Sequence, residues 1–268
     1  MALRFTIDDI FPKNMALQWT QPRGMPPPYP LSVVFNIYWD TAADGRYTSH
    51  FMYGEPTGLH IMTTFYSALA TPVDFRIGMH GTESGASGVR YVNRWATQGF
   101  RSVRPGSDMI GHYFYDLPDV SKVVTATGIG NSITLDSTFS MMLGSNPWTG
   151  FEGTDGRFGP CKIWTCALPD WAFAAEARSI YPVLPQYRKY LWCNVRGNSV
   201  EDILDLSGNG HHPIIYSPSG DPPTAIGSNP LQSWQLKFPL WETGYDSVAG
   251  QSPSTTTQEL KTYFASYC

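Results

Sequence analysis

The feature that most restricts this chain is a period of two. From Asn131 to Leu143, the residues Ile133, Leu135, Ser137, Phe139, Met141 and Leu143 fall on one side. Ser132, Thr134, Asp136, Thr138 and Ser140 fall on the other. Successive side chains of a strand point to opposite faces, so the pattern predicts a long strand of a large antiparallel sheet with one buried face. Leu31 to Asp40 repeats it: Leu31, Val33, Phe35, Ile37 and Trp39 share a face, with Ser32, Asn36 and Asp40 opposite. Tyr47–Tyr53, Leu59–Tyr66, Val73–His80, Ile110–Tyr115 and Val120–Thr127 read as further strands. The glycine-rich run Gly81–Gly88 lacks the lysine and the strand-loop-helix setting of a phosphate loop, and reads as a hairpin or surface loop. About ten strands with little helix and no βαβ alternation predict a two-sheet antiparallel β-sandwich of jelly-roll type.

The stretch from Phe158 to Pro213 carries the densest local signals. Phe158-Gly159-Pro160-Cys161-Lys162-Ile163-Trp164 reads as a strand, with Cys161, Ile163 and Thr165 on one face and Lys162, Trp164 and Cys166 on the other. Ala167 to Glu176 reads as a short helix, with Pro169 suited to its first turn and Asp170 to its positive end. Tyr190-Leu191-Trp192-Cys193 follows as a strand. Asp205-Leu206-Ser207-Gly208-Asn209-Gly210 then forms a tight turn, with two glycines free to take positive φ and Asp205 as its cap.

These motifs cover about a fifth of the chain and resemble a known family. The D-x-S-G-N-G turn and the strand-to-helix passage from Gly159 to Leu168 are similar to those of the laminin-G-like branch of the concanavalin A-like lectin/glucanase superfamily. In most members the turn lies near the beginning of the domain, whereas here it follows the helix. The resemblance implies a jelly-roll sandwich. It also implies calcium or sugar as ligands, because such relatives hold calcium through loop carboxylates and carbonyls and sugars through rings and amides.

Composition narrows the function classes. Of 268 residues, 15% are charged and 14% aromatic, against roughly 25% charged in a typical soluble protein. A surface so poor in charge and rich in rings is expected to be covered by partner subunits. The net charge of −4 gives no general reason to bind nucleic acid or an anionic membrane, and no apolar run reaches membrane-spanning length. The start, Met1 to Asp9, lacks the basic and apolar regions of a signal peptide. Cys161, Cys166, Cys193 and Cys268 form no zinc spacing, and free thiols made in a reducing compartment are expected.

A search for a reaction centre is negative at the level of motifs. Glycoside hydrolysis needs two carboxylates roughly 5 to 10 Å apart, and the E-x-D-x-x-E pattern of the glucanase relatives is absent. Glu201, Asp202 and Asp205 have the wrong spacing, and the adjacent His211 and His212 would point apart on a strand. No Gly-x-Ser-x-Gly elbow occurs. Asp155 is the best single calcium candidate, although Glu152-Gly153-Thr154-Asp155-Gly156 also reads as a turn. Asn93, Trp95, Asn146 and Trp148 are the candidates for contact with a glycan. Arg90, Arg94, Arg101 and Arg104, interleaved with Tyr91, Trp95 and Phe100, could stack on bases or sugars; an edge strand with a solvated face or a subunit contact is the simpler expectation.

The expected organisation is an N-terminal arm (residues 1–30, proline-rich near its end), a lectin-like sandwich (31–217), and a C-terminal arm (218–268) closing in a short helix after the Thr256–Glu259 capping box. The expected function is a non-enzymatic structural subunit on the surface of a virus-like particle, of the kind found in bacteriophage. It would contact copies of itself or other virion proteins, and its loops would touch cell-surface glycans. A carbohydrate-binding module or adhesin is the alternative, and a glycan hydrolase or lyase with an unusual site comes third. No cofactor is expected beyond calcium.

Overall fold

The computed structural model describes residues 3–5, 16–20, 29–39, 47–54, 60–66, 73–79, 82–89, 95–104, 109–115, 120–126, 140–144, 156–177, 189–195, 203–205, 207–216 and 224–225. In chain order the strands are β1 (Leu3–Phe5), β2 (Ala16–Thr20), β3 (Leu31–Trp39), β4 (Tyr47–Gly54), β5 (His60–Tyr66), β6 (Val73–Met79), β7 (Thr82–Val89), β8 (Trp95–Ser102), β9 (Met109–Tyr115), β10 (Val120–Ala126), β11 (Ser140–Leu143) and β12 (Gly156–Trp164). Helix α1 (Asp170–Ala177) follows, then β13 (Lys189–Val195), β14 (Ile203–Asp205), β15 (Ile214–Tyr216) and β16 (Thr224–Ala225).

These strands form two antiparallel sheets. The first runs β10-β9-β8-β3-β12-β1-β16, with β13 added beside β12 and β14 beside β13. The second runs β15-β2-β11-β4-β5-β6-β7. The odd residues of β3 explain why the sheets stack. Phe35 stacks on Phe51 of the facing sheet, with ring centroids 6.3 Å apart, and Phe51 meets Phe100 of β8 at 5.3 Å. Phe35, Phe51, Phe100 and Phe158 are all fully buried. Each such ring stabilises the fold by about 1.5–3 kcal/mol relative to exposure.

The polar residues of β3, by contrast, do not face water. Ser32, Val34 and Asn36 are buried on the outer face of the first sheet, beneath α1. Ser32 Oγ donates to Cys166 O and accepts from Leu168 N. Asn36 Nδ2 donates to Thr97 Oγ1, and Thr97 Oγ1 donates to Ala177 O near the helix C-terminus. Helix α1 begins one residue after Pro169, whose carbonyl accepts from Ala172 N and Phe173 N. Pro169 thus precedes the helix rather than sitting in its first turn.

Several expectations change. Residues 16–20 are not part of an arm: β2 lies between β11 and β15 with Leu17 and Trp19 buried. Two buried side chains make too short an alternation to stand out beside the proline run. β1 pairs with β12 and β16, so residues 3–5 and 224–225 are sheet strands as well. Of the two readings of the glycine-rich run, the hairpin holds: β7 is the second strand of a hairpin with β6. The described part of the arginine-bearing segment is no edge: β8 lies between β3 and β9, and Ala96 to Phe100 are buried, while Arg90 and Arg94 lie outside the described residues. Of the long strand expected at 131–143, the described part is β11; the rest, like the C-terminal helix, lies outside the described residues.

Candidate functional site

Where α1 meets the end of β8, the described residues form an open groove of about 740 Å³. Pro30, Arg101, Val103, Arg104, Ala167, Pro169 and Asp170 line it. The register explains the convergence. Arg101 lies opposite Ser32 on β3, and Ser32 holds the Cys166–Leu168 turn from below. The turn carries Pro169 and Asp170 over the sheet toward Arg101. Arg101 Nη1 donates to Leu168 O at 2.8 Å and to Asp170 Oδ1 at 2.6 Å. The Arg101 side chain is 16% exposed, while the Asp170 side chain is 68% exposed. A planar donor is therefore locked against an acceptor that still faces solvent. Such a couple can donate to and accept from neighbouring hydroxyls of one ligand. Val103 and Pro30 add apolar wall, and Trp171 is exposed on the next helix residue.

The far end of α1 is anchored by a fully buried ion pair. Lys162 Nζ of β12 donates to Glu176 Oε2 at 2.6 Å and to Glu176 O at 2.7 Å. Both side chains are 0% exposed. Burial pushes the Lys162 ammonium below its usual range, and the Glu176 charge and hydrogen bond pull it back up. Alternation correctly sets Lys162 apart from the Cys161 face. Cys161 is a buried thiol pushed up to about 12 by burial, against the pull of Lys162.

The Asp205 turn is a second ordered feature. Asp205 Oδ1 accepts from Ser207 N, and Oδ2 accepts from Ser207 Oγ and His211 N. Ser207 Oγ accepts from Asn209 N. Gly208 and Gly210 take φ of +90° and +75°, the region that favours glycine. Trp19 Nε1 donates to His211 O, which ties the turn to β2. The carboxylate oxygens of Asp205 serve the turn, and His212 Nδ1 accepts from Asp205 N.

Asn93, Asn146, Trp148 and Asp155 lie outside the described residues. Trp95 is the first residue of β8, opposite Tyr38. Among the described residues no three His, Cys, Asp or Glu side chains converge as a metal site. Sequence reasoning missed the Arg101–Asp170 couple. Its two halves were each visible, as a strand arginine and a helix-start acid, but only the β3–β8 register and the docking of α1 join them.

No family model matches the sequence, and no curated protein matches it in sequence. Solved structures do match in fold. A heptameric SAP-like pentraxin from Limulus polyphemus aligns at TM-score 0.51 and 12% identity, over 73% of this chain and 92% of that one. A Bacteroides ovatus protein provisionally described as carbohydrate-binding aligns at TM-score 0.52 and 14% identity, over 84% of this chain and 61% of that one. At such identities the likeness concerns architecture alone. Two antiparallel sheets stacked through the Phe35, Phe51 and Phe100 rings, with one short helix on the outside, make a jelly-roll sandwich.

Proposed function

We propose that the chain is a non-catalytic, carbohydrate-binding jelly roll whose ligand groove lies between α1 and the end of β8. The observation that carries this reading is the Arg101–Asp170 couple, held over Leu168 O at the mouth of an apolar-walled groove. A vicinal diol offers donors and acceptors side by side, which is what the couple presents. The apolar face of a sugar ring suits Val103, Pro30 and Pro169. Three carboxylates also support a binding role over hydrolysis. Asp170 is engaged by Arg101, Glu176 is buried against Lys162, and Asp205 caps its turn.

A glycan array tests this directly. The wild-type chain is expected to retain a subset of glycans, and Asp170→Ala or Arg101→Ala to weaken retention about tenfold or more, since a hydrogen bond to a charged group contributes about 1.5–3 kcal/mol. Far-UV circular dichroism checks that the variants fold. A blank array, or unchanged retention in both variants, sinks the reading. Release of reducing ends from any bound glycan would make the chain an enzyme.

A second reading is favoured by exposed apolar surface near the same groove. Val103 is 44% and Trp171 38% exposed, on a chain with 14% aromatic and 15% charged residues. This suits a subunit of a particle surface such as that of a bacteriophage, where neighbours cover the rings. Native mass measurement separates the two: a solitary stable monomer counts against the particle subunit and leaves the sugar-binding reading intact.

A further inference from the structure

The antiparallel pairing of β12 with β13 sets two cysteines opposite each other. Cys161 pairs with Cys193, Lys162 with Trp192, and Ile163 with Leu191. The register is held from further strands too. On its other edge Cys161 lies opposite Phe35 of β3, and Cys193 lies opposite Asp205 of β14. The β12–β13 pairing is regular from Cys161 to Ile163 and shifts only between Ile163 and Trp164, whereas the β12–β3 pairing shifts just before Cys161, between Phe158 and Cys161. Directly opposed residues of an antiparallel pair have Cα atoms about 4.5–5.5 Å apart. A disulfide spans Cα separations of about 4.4–6.8 Å. Cys166, the nearer cysteine in sequence, lies past the end of β12, in the turn that Ser32 holds.

We propose that Cys161 and Cys193 are an oxidisable cross-strand pair, a modification site at the centre of the first sheet. This inference is independent of the sugar-binding reading. It concerns the folding chain more than the finished one. Cys161 is 0% exposed, and burial holds its thiol protonated, which makes it a poor nucleophile toward a dissolved oxidant. The bond therefore forms while β13 is being laid beside β12. With oxidised glutathione as oxidant, one cysteine thiolate attacks its disulfide and releases one reduced glutathione. The second cysteine thiolate then displaces the other. Two thiol protons leave the protein and two electrons pass to glutathione, so the step balances. The product closes the segment containing α1 into a loop, which restricts the unfolded chain.

The test refolds the full reduced chain in mixed reduced and oxidised glutathione, blocks remaining thiols with iodoacetamide, and maps peptides without reduction. The expected result is a peptide pair joined through Cys161 and Cys193, in soluble protein whose thermal midpoint exceeds that of the reduced form. Cys166→Ala should keep both the link and the midpoint gain, and Cys193→Ala should lose both. Folded reduced protein treated with the same oxidant should stay unlinked over the same time. Recovery of Cys161 and Cys193 both alkylated after refolding overturns the proposal, as does linkage of Cys161 to Cys166 or Cys268. A lower midpoint in the linked form overturns the fit to the register. Where Cys193→Ala yields no soluble protein, the wild-type peptide map alone decides.

Discussion

Two polar pairs lie inside the molecule on opposite faces of the first sheet, and they have solved the problem of burial differently. On the outer face, Lys162 and Glu176 are fully buried as an ion pair beneath α1. Between the sheets, His50 Nδ1 lies 3.1 Å from Gln98 Oε1, again with both residues fully buried. Here burial lowers the His50 pKa to about 3, against the weaker pull of the Gln98 hydrogen bond, so the ring stays neutral. A charge is kept where a helix supplies its countercharge and a further carbonyl. It is given up at His50, where burial outweighs the hydrogen bond to the Gln98 amide. The outer face, which a sandwich commonly leaves to water, is here a second interior wherever α1 covers it.

The sharpest way to break that comparison is to remove one partner of the ion pair. Glu176→Ala strands the Lys162 ammonium under the helix and is expected to cost about 3–5 kcal/mol. Urea unfolding measures it. The double variant Lys162→Met with Glu176→Leu should recover most of the loss, because apolar groups of similar volume need no countercharge. If Glu176→Ala unfolds at the wild-type midpoint, α1 is loosely docked and the outer face is not an interior.

A smaller effect tests how closely the helix approaches. A Cβ at Gly99 would lie 2.9 Å from Phe173 Cδ1 and 2.9 Å from the Val33 carbonyl oxygen. The Phe173 ring can shift, but the Val33 backbone is fixed by its place in β3. Gly99→Ala is therefore expected to cost about 1–3 kcal/mol, read as a lowered urea midpoint with an unchanged slope. Indifference to the added methyl would mean that α1 rides above the sheet.

The sequence announces the two-sheet sandwich because alternation is local. Leu31, Val33, Phe35 and Ile37 declare the inner face of β3 without help from elsewhere. It also separates Lys162 from Cys161 and marks Gly208 and Gly210 as turn residues. The same logic fails for the outer face. Ser32, Asn36 and Thr97 look like residues for water, yet they are buried by a helix that arrives from far along the chain. β2 is hidden for a related reason: Leu17 and Trp19 mean little until β11 and β15 flank them. The groove belongs to this class. Arg101 and Asp170 meet only through the β3–β8 register and the turn above Ser32, neither of which a linear pattern encodes.

The smallest effect probes the inner pair through pH. The His50 pKa is about 3 in the folded protein, against 6.5 for a histidine free of such burial, as in the unfolded chain. Below pH 6.5 the unfolded state takes up a proton that the folded state refuses. This residue's contribution to stability is therefore complete above pH 6.5 and is lost as the pH falls from there toward 3. Between pH 7.5 and 5.5 the loss amounts to about 1.4 kcal/mol. Other groups titrate over that range, so the contrast must be drawn against a variant. His50→Gln keeps a hydrogen-bonding amide opposite Gln98 and removes the titrating ring. Urea unfolding of both proteins at both pH values should show the wild type losing about 1.4 kcal/mol more than the variant. Equal losses would mean that His50 takes up its proton while folded. That would require water or an anion at the ring, and the contrast between an ionic outer pair and a neutral inner one would disappear.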